Sequence, residues 1–187
     1  MILSDVQIRQ ALHSGRIVID PLPADDQFAP SAVDLHVGRE FKRWKPVTPG
    51  SVAPVRLSEV NLPTFSEWLE DIPPEPDGSV VIAPGAFALA ATRERVALPE
   101  GSQLAARVEG RSSYARLGLA VHMTAPTIHA GFAGSIVLEM MNFGPFPLRL
   151  DGGRTRICQL IFEELGSAPS CALRTVFQNQ SGVLGRP

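Results

Sequence analysis

Short apolar runs and single proline or glycine residues alternate along most of this chain. From residue 79 onward several of the runs switch between apolar and polar positions at every step, as β-strands with one buried face do. The 17 prolines and 16 glycines favour turns at short intervals and leave little room for long helices. The pattern therefore predicts a mainly β protein of many short strands in a closed or double-sheet arrangement.

The predicted strands begin near the N-terminus and resume after an irregular stretch. A turn is expected near Gly38, between the second and third of them. Residues 45–78 are rich in proline, serine and glutamate, and we interpret them as a long excursion from the sheet, with room for a helical turn around residues 65–69. The predicted strands are RIVID (16–20), SAVDLHVG (31–38), EFKRW (40–44), SVVIA, FALAATRERV, QLAARVEG, LAVHMTA, GSIVLEMMN, LRL and RTRICQLIFEEL.

One helix is predicted, close to the N-terminus. Ser4 can cap it, Asp5 suits its first turn, and Gly15 should end it. Its expected apolar face consists of Val6, Ile8 and Leu12. The length of 187 residues fits a single domain, 1–187, whose polar tail from about residue 174 to 187 is expected to be mobile.

Composition and charge narrow the class of protein. Apolar residues make up 44% of the chain and charged residues 19%, as in soluble globular proteins. The net charge is -2 and lysine and arginine form no cluster, which argues against nucleic acid or an anionic membrane as the main partner. No apolar run approaches the length of a membrane span, and the first residues do not follow a signal-peptide pattern. We therefore expect a cytoplasmic protein, and two cysteines are too few for a disulfide framework.

The segment VEGRSSYARLG carries the first candidate chemistry. Arg111, Ser112 and Ser113 follow a glycine at the end of a predicted strand, and Arg116 comes shortly after them. Backbone N–H groups, hydroxyls and guanidinium groups in such a turn suit an oligophosphate, and a short helix over YARLG would add partial positive charge. From spacing alone, a capped surface turn with solvated arginines explains the segment equally well.

The segment GSIVLEMMN carries the second set of candidate catalytic residues. Its alternation separates two faces of a strand: Ile136, Leu138 and Met140 on one, Val137, Glu139 and Met141 on the other. Glu139 is thus a carboxylate between apolar neighbours, and burial would raise its pKa and suit it to moving protons near neutral pH. A glutamate paired with an arginine in a subunit interface is at least as good an interpretation of the local sequence.

A zinc site of the kind that nucleoside deaminases use is not expected. Those enzymes carry H-x-E and a later P-C-x-x-C. None of the four histidines here precedes a glutamate by two residues, and Cys158 and Cys171 are thirteen positions apart. Cys158, in the apolar run RICQLIF, is predicted to be a buried small hydrophobe, and no metal ligand is predicted.

The segments GRSSYARLGLAVHMTA, GFAGSIVLE and RICQLIFEE, in this order, closely resemble dCTP deaminases, and SAVDLHVG resembles the opening of the same family. The resemblance covers nearly the whole chain and is weakest across 45–78. It implies a distorted jelly roll of the dUTPase-like β-clip type, with a short N-terminal helix and few other helical turns. It also implies a homotrimer whose three sites lie between subunits.

The resemblance also implies roles for single residues. Glu139 matches the general base and acid that activates water against cytosine C4, and Ser112 and Arg116 match residues that orient the water and the amino group. Gln180 matches a polyphosphate contact that forms when the tail closes over the site. Magnesium is implied only on the nucleotide phosphates. The implied substrate-binding residues are Arg111, Ser112, Ser113, Met123, Ala125, His129, Val137, Leu138, Gln159 and Gln180.

Three positions depart from the family pattern. His129 stands where an aspartate is usual, which contacts the sugar 3′-hydroxyl and in dUTPases activates the attacking water. Leu173 and Val176 stand where a tyrosine and a lysine are usual. The leading hypothesis is deamination of dCTP or a close analogue. The alternatives are a dUTPase or bifunctional deaminase-diphosphatase, which His129 argues against, and a non-catalytic nucleotide-binding paralogue.

Overall fold

A computed structural model gives the fold of residues 1–60 and 66–183. Within these ranges the chain forms twelve strands and two short α-helices, so the prediction of a mainly β fold is confirmed. The helices are α1 (Asp5–His13) and α2 (Ser112–Ala115). The strands are β1 (Val18–Asp20), β2 (Phe28–Ala29), β3 (Ala32–Trp44), β4 (Leu69–Asp71), β5 (Ser79–Ile82), β6 (Phe87–Ala97), β7 (Leu104–Gly110), β8 (Leu119–Ala120), β9 (Thr127–Ile128), β10 (Ala133–Asn142), β11 (Leu148–Asp151) and β12 (Arg156–Glu164).

Ten of these strands form one antiparallel sheet, and β5 and β11 pair separately. The order along the sheet is β8-β10-β6-β3-β12-β7-β9, with β1 added to β6 and with β2 and β4 added to β3. The long strand β3 pairs with β12 along its first half and with β6 and β4 along its second half. Because β3 belongs to both halves, the sheet curls around a single apolar core.

The glycine at position 38 lies inside a strand and not in a turn. The prediction of two strands separated at Gly38 is wrong, since β3 continues through it to Trp44. A Cβ atom at Gly38 would lie only 2.9 Å from the backbone oxygen of Ala91 on β6. The glycine therefore permits a close approach of two strands, next to an irregularity in their register between Val37 and Phe41.

Helix α1 follows the prediction at both ends. The Ser4 hydroxyl accepts from the Gln7 backbone N–H, and the Gln7 side chain accepts from the Ser4 N–H, which completes a capping box. Ile8 and Ala11 are the buried residues of the helix, whereas Val6 is 57% exposed, so its expected place on the apolar face is wrong.

Two other local predictions differ from the structure. Of the predicted strand LAVHMTA, only Leu119–Ala120 is a strand, because the chain leaves the sheet after pairing with the end of β10. The helical turn expected around 65–69 lies partly outside the described residues. Its described part is a short 3-10 turn at 66–68, followed by β4.

Strand β10 separates the core from the opposite face of the sheet. Ile136, Leu138 and Met140 are buried, as the alternation predicts, and Cys158 on β12 is fully buried in the same core. Burial also raises the pKa of the Cys158 thiol far above its ordinary value, so it remains a neutral thiol. Glu139 consequently lies on the face of β10 turned away from this core.

Candidate active site

A cavity of about 570 Å³ lies against this second face of β10. Its volume is within the range of small-molecule sites, roughly 300–1,000 Å³. The walls are mainly apolar and include the aromatic rings of Trp44, Phe87, Phe132 and Phe177. Its polar side chains are His122, Thr127, His129, Glu139, Arg174, Thr175 and Gln180.

Glu139 is a half-buried carboxyl group between apolar neighbours. It stands directly opposite Leu89 of β6, and Val137 lies two residues before it on the same face. Burial raises the pKa of Glu139 above its ordinary value of 4.5. Backbone N–H groups, including that of Met123, and the charge of His122 act in the opposite direction, but their effects are smaller. A carboxyl group with a raised pKa can accept and return a proton near neutral pH.

Two buried polar atoms of cavity-lining residues have no hydrogen-bond partner among the described residues: Nδ1 of His122 and Oε1 of Gln180. The Gln180 side chain is 5% exposed, and its Nε2 donates to the Ser135 backbone oxygen at 2.8 Å. An unmade hydrogen bond of a buried group costs about 1–3 kcal/mol. A ligand or water molecule with a donor group would therefore be stabilised beside Gln180 Oε1.

The described part of the tail forms one side of the cavity. The Ser135 backbone N–H donates to the Gln180 backbone oxygen at 2.9 Å, and the Asn179 backbone N–H donates to the Ala133 backbone oxygen at 2.6 Å. Gly134 makes this contact possible, because a Cβ there would lie 3.0 Å from the Gln180 oxygen. The described tail thus forms one wall of the cavity, whereas its mobility and its closure over a bound nucleotide remain predictions.

The Gln180 side chain keeps both kinds of hydrogen-bonding capacity. One amide hydrogen of Nε2 is directed to the Ser135 backbone oxygen, so the second hydrogen and the unpaired Oε1 are left for other partners. Its role as a polyphosphate contact remains a prediction.

A second group of predicted site residues lies outside the cavity, around α2 and β12. Ser112, Ser113 and Arg116 are exposed and Arg111 is half-buried at the N-cap of α2. The helix begins at Ser112 and not at Tyr114. Gln159 lies nearby on β12, and neither it nor the residues around α2 line the cavity.

One carboxylate connects the members of this group. Asp34 of β3 binds the Arg111 Nη1 through Oδ2 at 2.9 Å and accepts from the Gln159 Nε2 through Oδ1 at 3.1 Å. We refer to Arg111, Ser112, Ser113, Arg116 and Gln159 as the α2 group.

The other predicted residues fall around the cavity, with one exception. Ala125, His129 and Val137 line it, and Met123 is exposed beside it with its backbone N–H near Glu139. Leu138 is fully buried in the core, so its side chain faces away from the cavity.

Sequence reasoning missed Phe87 and Leu89, which line the cavity from β6, and it missed Asp34. The alternation within FALAATRERV groups Phe87 and Leu89 on one face, but it does not identify the strand opposite them.

The described residues show neither a metal-binding cluster nor a membrane-spanning helix. These residues contain no cluster of three or more His, Cys, Asp or Glu side chains that could hold a metal ion. None of the helices in the described ranges is long and apolar enough to cross a membrane. Magnesium on nucleotide phosphates needs no such cluster, since phosphate oxygens and water supply most of its ligands.

Known proteins match the chain over most of its length. The family model described as dCTP deaminase-like matches residues 2–165. A protein of Methanosphaera stadtmanae named "dCTP deaminase, dUMP-forming" is 43% identical over 166 residues, which are 89% of this chain and 80% of that protein. A dCTP deaminase of Haloarcula marismortui is 40% identical and covers 97% of this chain and 92% of that protein.

The fold is also similar to that of a solved structure. The crystal structure of 2'-deoxycytidine 5'-triphosphate deaminase from Agrobacterium tumefaciens is similar with a TM-score of 0.62 and 24% identity over 86% of this chain. The chain spans 47% of that protein's length, about half, and the likeness concerns the fold alone. Because the family model matches far more than half of the chain, the protein belongs to the dCTP deaminase-like family.

Proposed function

We propose that this protein removes the amino group of the cytosine ring of dCTP, or of a closely related cytosine nucleotide, by hydrolysis. The products are the uracil nucleotide and ammonia. The observation that carries the proposal is Glu139, a half-buried carboxyl group with a raised pKa in a cavity of suitable size, in a chain whose relatives are named dCTP deaminases.

Glu139 performs the proton transfers of this reaction. Its carboxylate takes a proton from water as the water oxygen bonds to C4, and it passes that proton to ring nitrogen N3. The second proton of the water goes through the carboxylate to the amino nitrogen, the C4–N bond breaks, and ammonia leaves. Leu89 and Val137 keep the carboxylate partly dry, which maintains its basicity.

The separation of the α2 group from the cavity supports a site shared between copies of the chain. Ser112 and Arg116 lie outside the cavity of their own chain, although the resemblance implies that they orient the water and the amino group beside Glu139. Leu117, Phe143 and Phe146 are exposed next to α2, being 46%, 67% and 60% accessible. Apolar side chains exposed together are typical of interaction surfaces. We propose a homotrimer in which the α2 group of one copy completes the cavity of the next.

The proposed reaction uses no zinc and takes magnesium only with the nucleotide. The ground for this proposal is the sequence, which carries neither the H-x-E nor the P-C-x-x-C motif of zinc-dependent nucleoside deaminases. A zinc-selective chelator should leave the rate unchanged, whereas magnesium removal should weaken triphosphate binding. Loss of activity with zinc removal, restored by added zinc, would contradict the mechanism. The net charge of -2, without a cluster of lysine or arginine, supports an enzyme that has no nucleic-acid partner, and we further propose a cytoplasmic location.

The deciding experiment is a screen for ammonia release from cytosine nucleotides, with products identified by chromatography. We expect dCTP or a close analogue to yield ammonia and the uracil triphosphate. Formation of dUMP and pyrophosphate would instead identify a bifunctional enzyme, as the name of the Methanosphaera relative suggests for that protein. A folded protein that binds nucleotides and releases no ammonia would be the non-catalytic alternative.

A further inference from the structure

We propose that Asp34 is a positioning residue for the phosphates of the nucleotide. It acts by holding Arg111 in the orientation that binds them and Gln159 beside it, without touching the ligand. The inference rests on the proposed function, because it takes Arg111 as a phosphate-binding residue and Gln159 as a substrate-binding residue. The observation behind it is one carboxylate, 7% exposed, whose two oxygens are divided between these two side chains.

The contacts of Asp34 fix both partners without using all of their donors. Arg111 approaches Asp34 through Nη1, at 2.9 Å, and the same nitrogen is 3.5 Å from the Arg156 backbone oxygen. The N–H groups of Nε and Nη2 take no part in these two contacts, so they remain suited to a bidentate interaction with phosphate. Gln159 is held in the same way by one of its two amide hydrogens, at 3.1 Å.

Asp34 is itself held in place by its strand and by a buried side chain. The Gln27 Nε2 donates to the Asp34 backbone oxygen at 2.8 Å, and Asp34 pairs with Gln159 across β3 and β12. The Asp34 carboxylate is therefore held in one position, whereas Arg111 has a long side chain with many rotamers. An arginine held by such a partner loses less conformational entropy when it binds an anion.

The direction in which Asp34→Asn changes anion affinity distinguishes a positioning role from a purely electrostatic one. Asp34 carries a negative charge beside the place proposed for phosphates. If charge alone mattered, Asp34→Asn would remove a repulsion and tighten anion binding. If Asp34 positions Arg111, the same substitution weakens binding, because an asparagine offers neither the charge nor two acceptor oxygens.

The test uses the full chain and two readouts. One is the binding of inorganic tripolyphosphate in magnesium-containing buffer, measured by calorimetry, and the other is the steady-state kinetics of dCTP deamination. Asp26→Asn is the matched control, because Asp26 pairs with Arg156 on the same side of the protein and the net charge changes equally. Asp34→Glu keeps the charge but displaces it by one methylene group, and it serves as well if Asp34→Asn does not fold.

We expect Asp34→Asn to raise both the dissociation constant of tripolyphosphate and the KM for dCTP by about tenfold, as the loss of a charge-assisted hydrogen bond does. The kcat should stay within about twofold of the wild type, since Glu139 is unchanged. Asp34→Glu should weaken binding in the same direction, and Asp26→Asn should leave it unchanged or slightly tighter.

Unchanged or tighter tripolyphosphate binding by Asp34→Asn would overturn the inference, and so would an equal loss in Asp26→Asn. A wild-type protein that does not bind tripolyphosphate would also overturn it. A wild-type protein that binds tripolyphosphate but releases no ammonia from cytosine nucleotides refutes the proposed function alone, because the calorimetric comparison still decides the role of Asp34.

Discussion

Glu139 on β10 and Leu89 on β6 are direct cross-strand neighbours in the antiparallel sheet. Side chains in this relationship lie on the same face, roughly 5 Å apart at Cβ. The carboxyl group therefore has an apolar side chain beside it, and Val137 on its own strand adds a second. Burial is the largest cause of the raised pKa of Glu139, and we expect these two neighbours to contribute to it.

Replacing Glu139 by glutamine should abolish proton transfer and leave the fold intact. Glutamine has the same size and can form hydrogen bonds, but it accepts no proton. We expect turnover to fall by at least about a hundredfold, the scale usual for a general base, with nearly unchanged nucleotide binding. Glu163→Gln is the matched control, because Glu163 pairs with Arg107 at 2.7 Å and lies outside the cavity. Wild-type turnover in Glu139→Gln would refute the mechanism.

The pH dependence of the rate should report the raised pKa of Glu139. The general base acts in its deprotonated form, so kcat/KM should fall as pH decreases through a midpoint above the ordinary 4.5. Leu89→Ser should move this midpoint downward, because a hydroxyl and water beside the carboxylate stabilise its charged form. A midpoint that stays in place in Leu89→Ser would show that burial by Leu89 is not the cause.

The free energy of unfolding should decrease as pH rises through the raised pKa of Glu139. Because the folded pKa of Glu139 is raised, its contribution to the free energy of unfolding is fully present below the unfolded pKa and is lost as pH rises through the folded pKa. Glu139→Gln lacks this loss. We therefore expect Glu139→Gln to have a higher Tm than the wild type at neutral pH, with the difference disappearing near pH 4.5. Thermal denaturation across this range checks the sign.

Two inactive variants should restore each other if sites are shared between copies. Glu139→Gln keeps an intact α2 group, and Arg116→Ala keeps an intact cavity. When the two are co-expressed in equal amounts, random assembly should give about one quarter of wild-type activity. Each variant expressed alone is the control. A mixed assembly without activity would mean that each chain builds its site alone.

Replacing His129 by aspartate should change the preference for the sugar. His129 lies exposed on the cavity wall, where the resemblance implies an aspartate that contacts the 3′-hydroxyl. If a 2′-deoxynucleotide is the natural substrate, His129→Asp should lower its KM, and pyrophosphate release can appear. His13→Asp at the end of α1 controls for the charge change. A neutral or harmful effect of His129→Asp would indicate a ligand with another sugar or phosphate pattern.

The sequence alone predicts which residues share a face of a strand, but not which residues of other strands they contact. Alternation predicted the two faces of β10, and with them the half-buried position of Glu139. The link between Asp34 and Gln159 joins residues 125 positions apart, and no local pattern carries such a contact. Gly38 illustrates the same limit. Glycine in a sequence is typical of a turn, but Gly38 is needed because the Ala91 backbone of another strand lies too close for a side chain.

The backbone hydrogen bonds between the tail and β10 constrain the number of residues within the tail segment. Since Gln180 is tied to Ser135 and Asn179 to Ala133, the segment that begins at Leu173 has a defined register against a strand. A one-residue insertion between Phe177 and Asn179 would change the distance between the Phe177 ring, which lines the cavity, and the two backbone bonds that hold the tail against β10. The spacing between Phe177 and Gln180 is therefore as constrained as the identity of these residues.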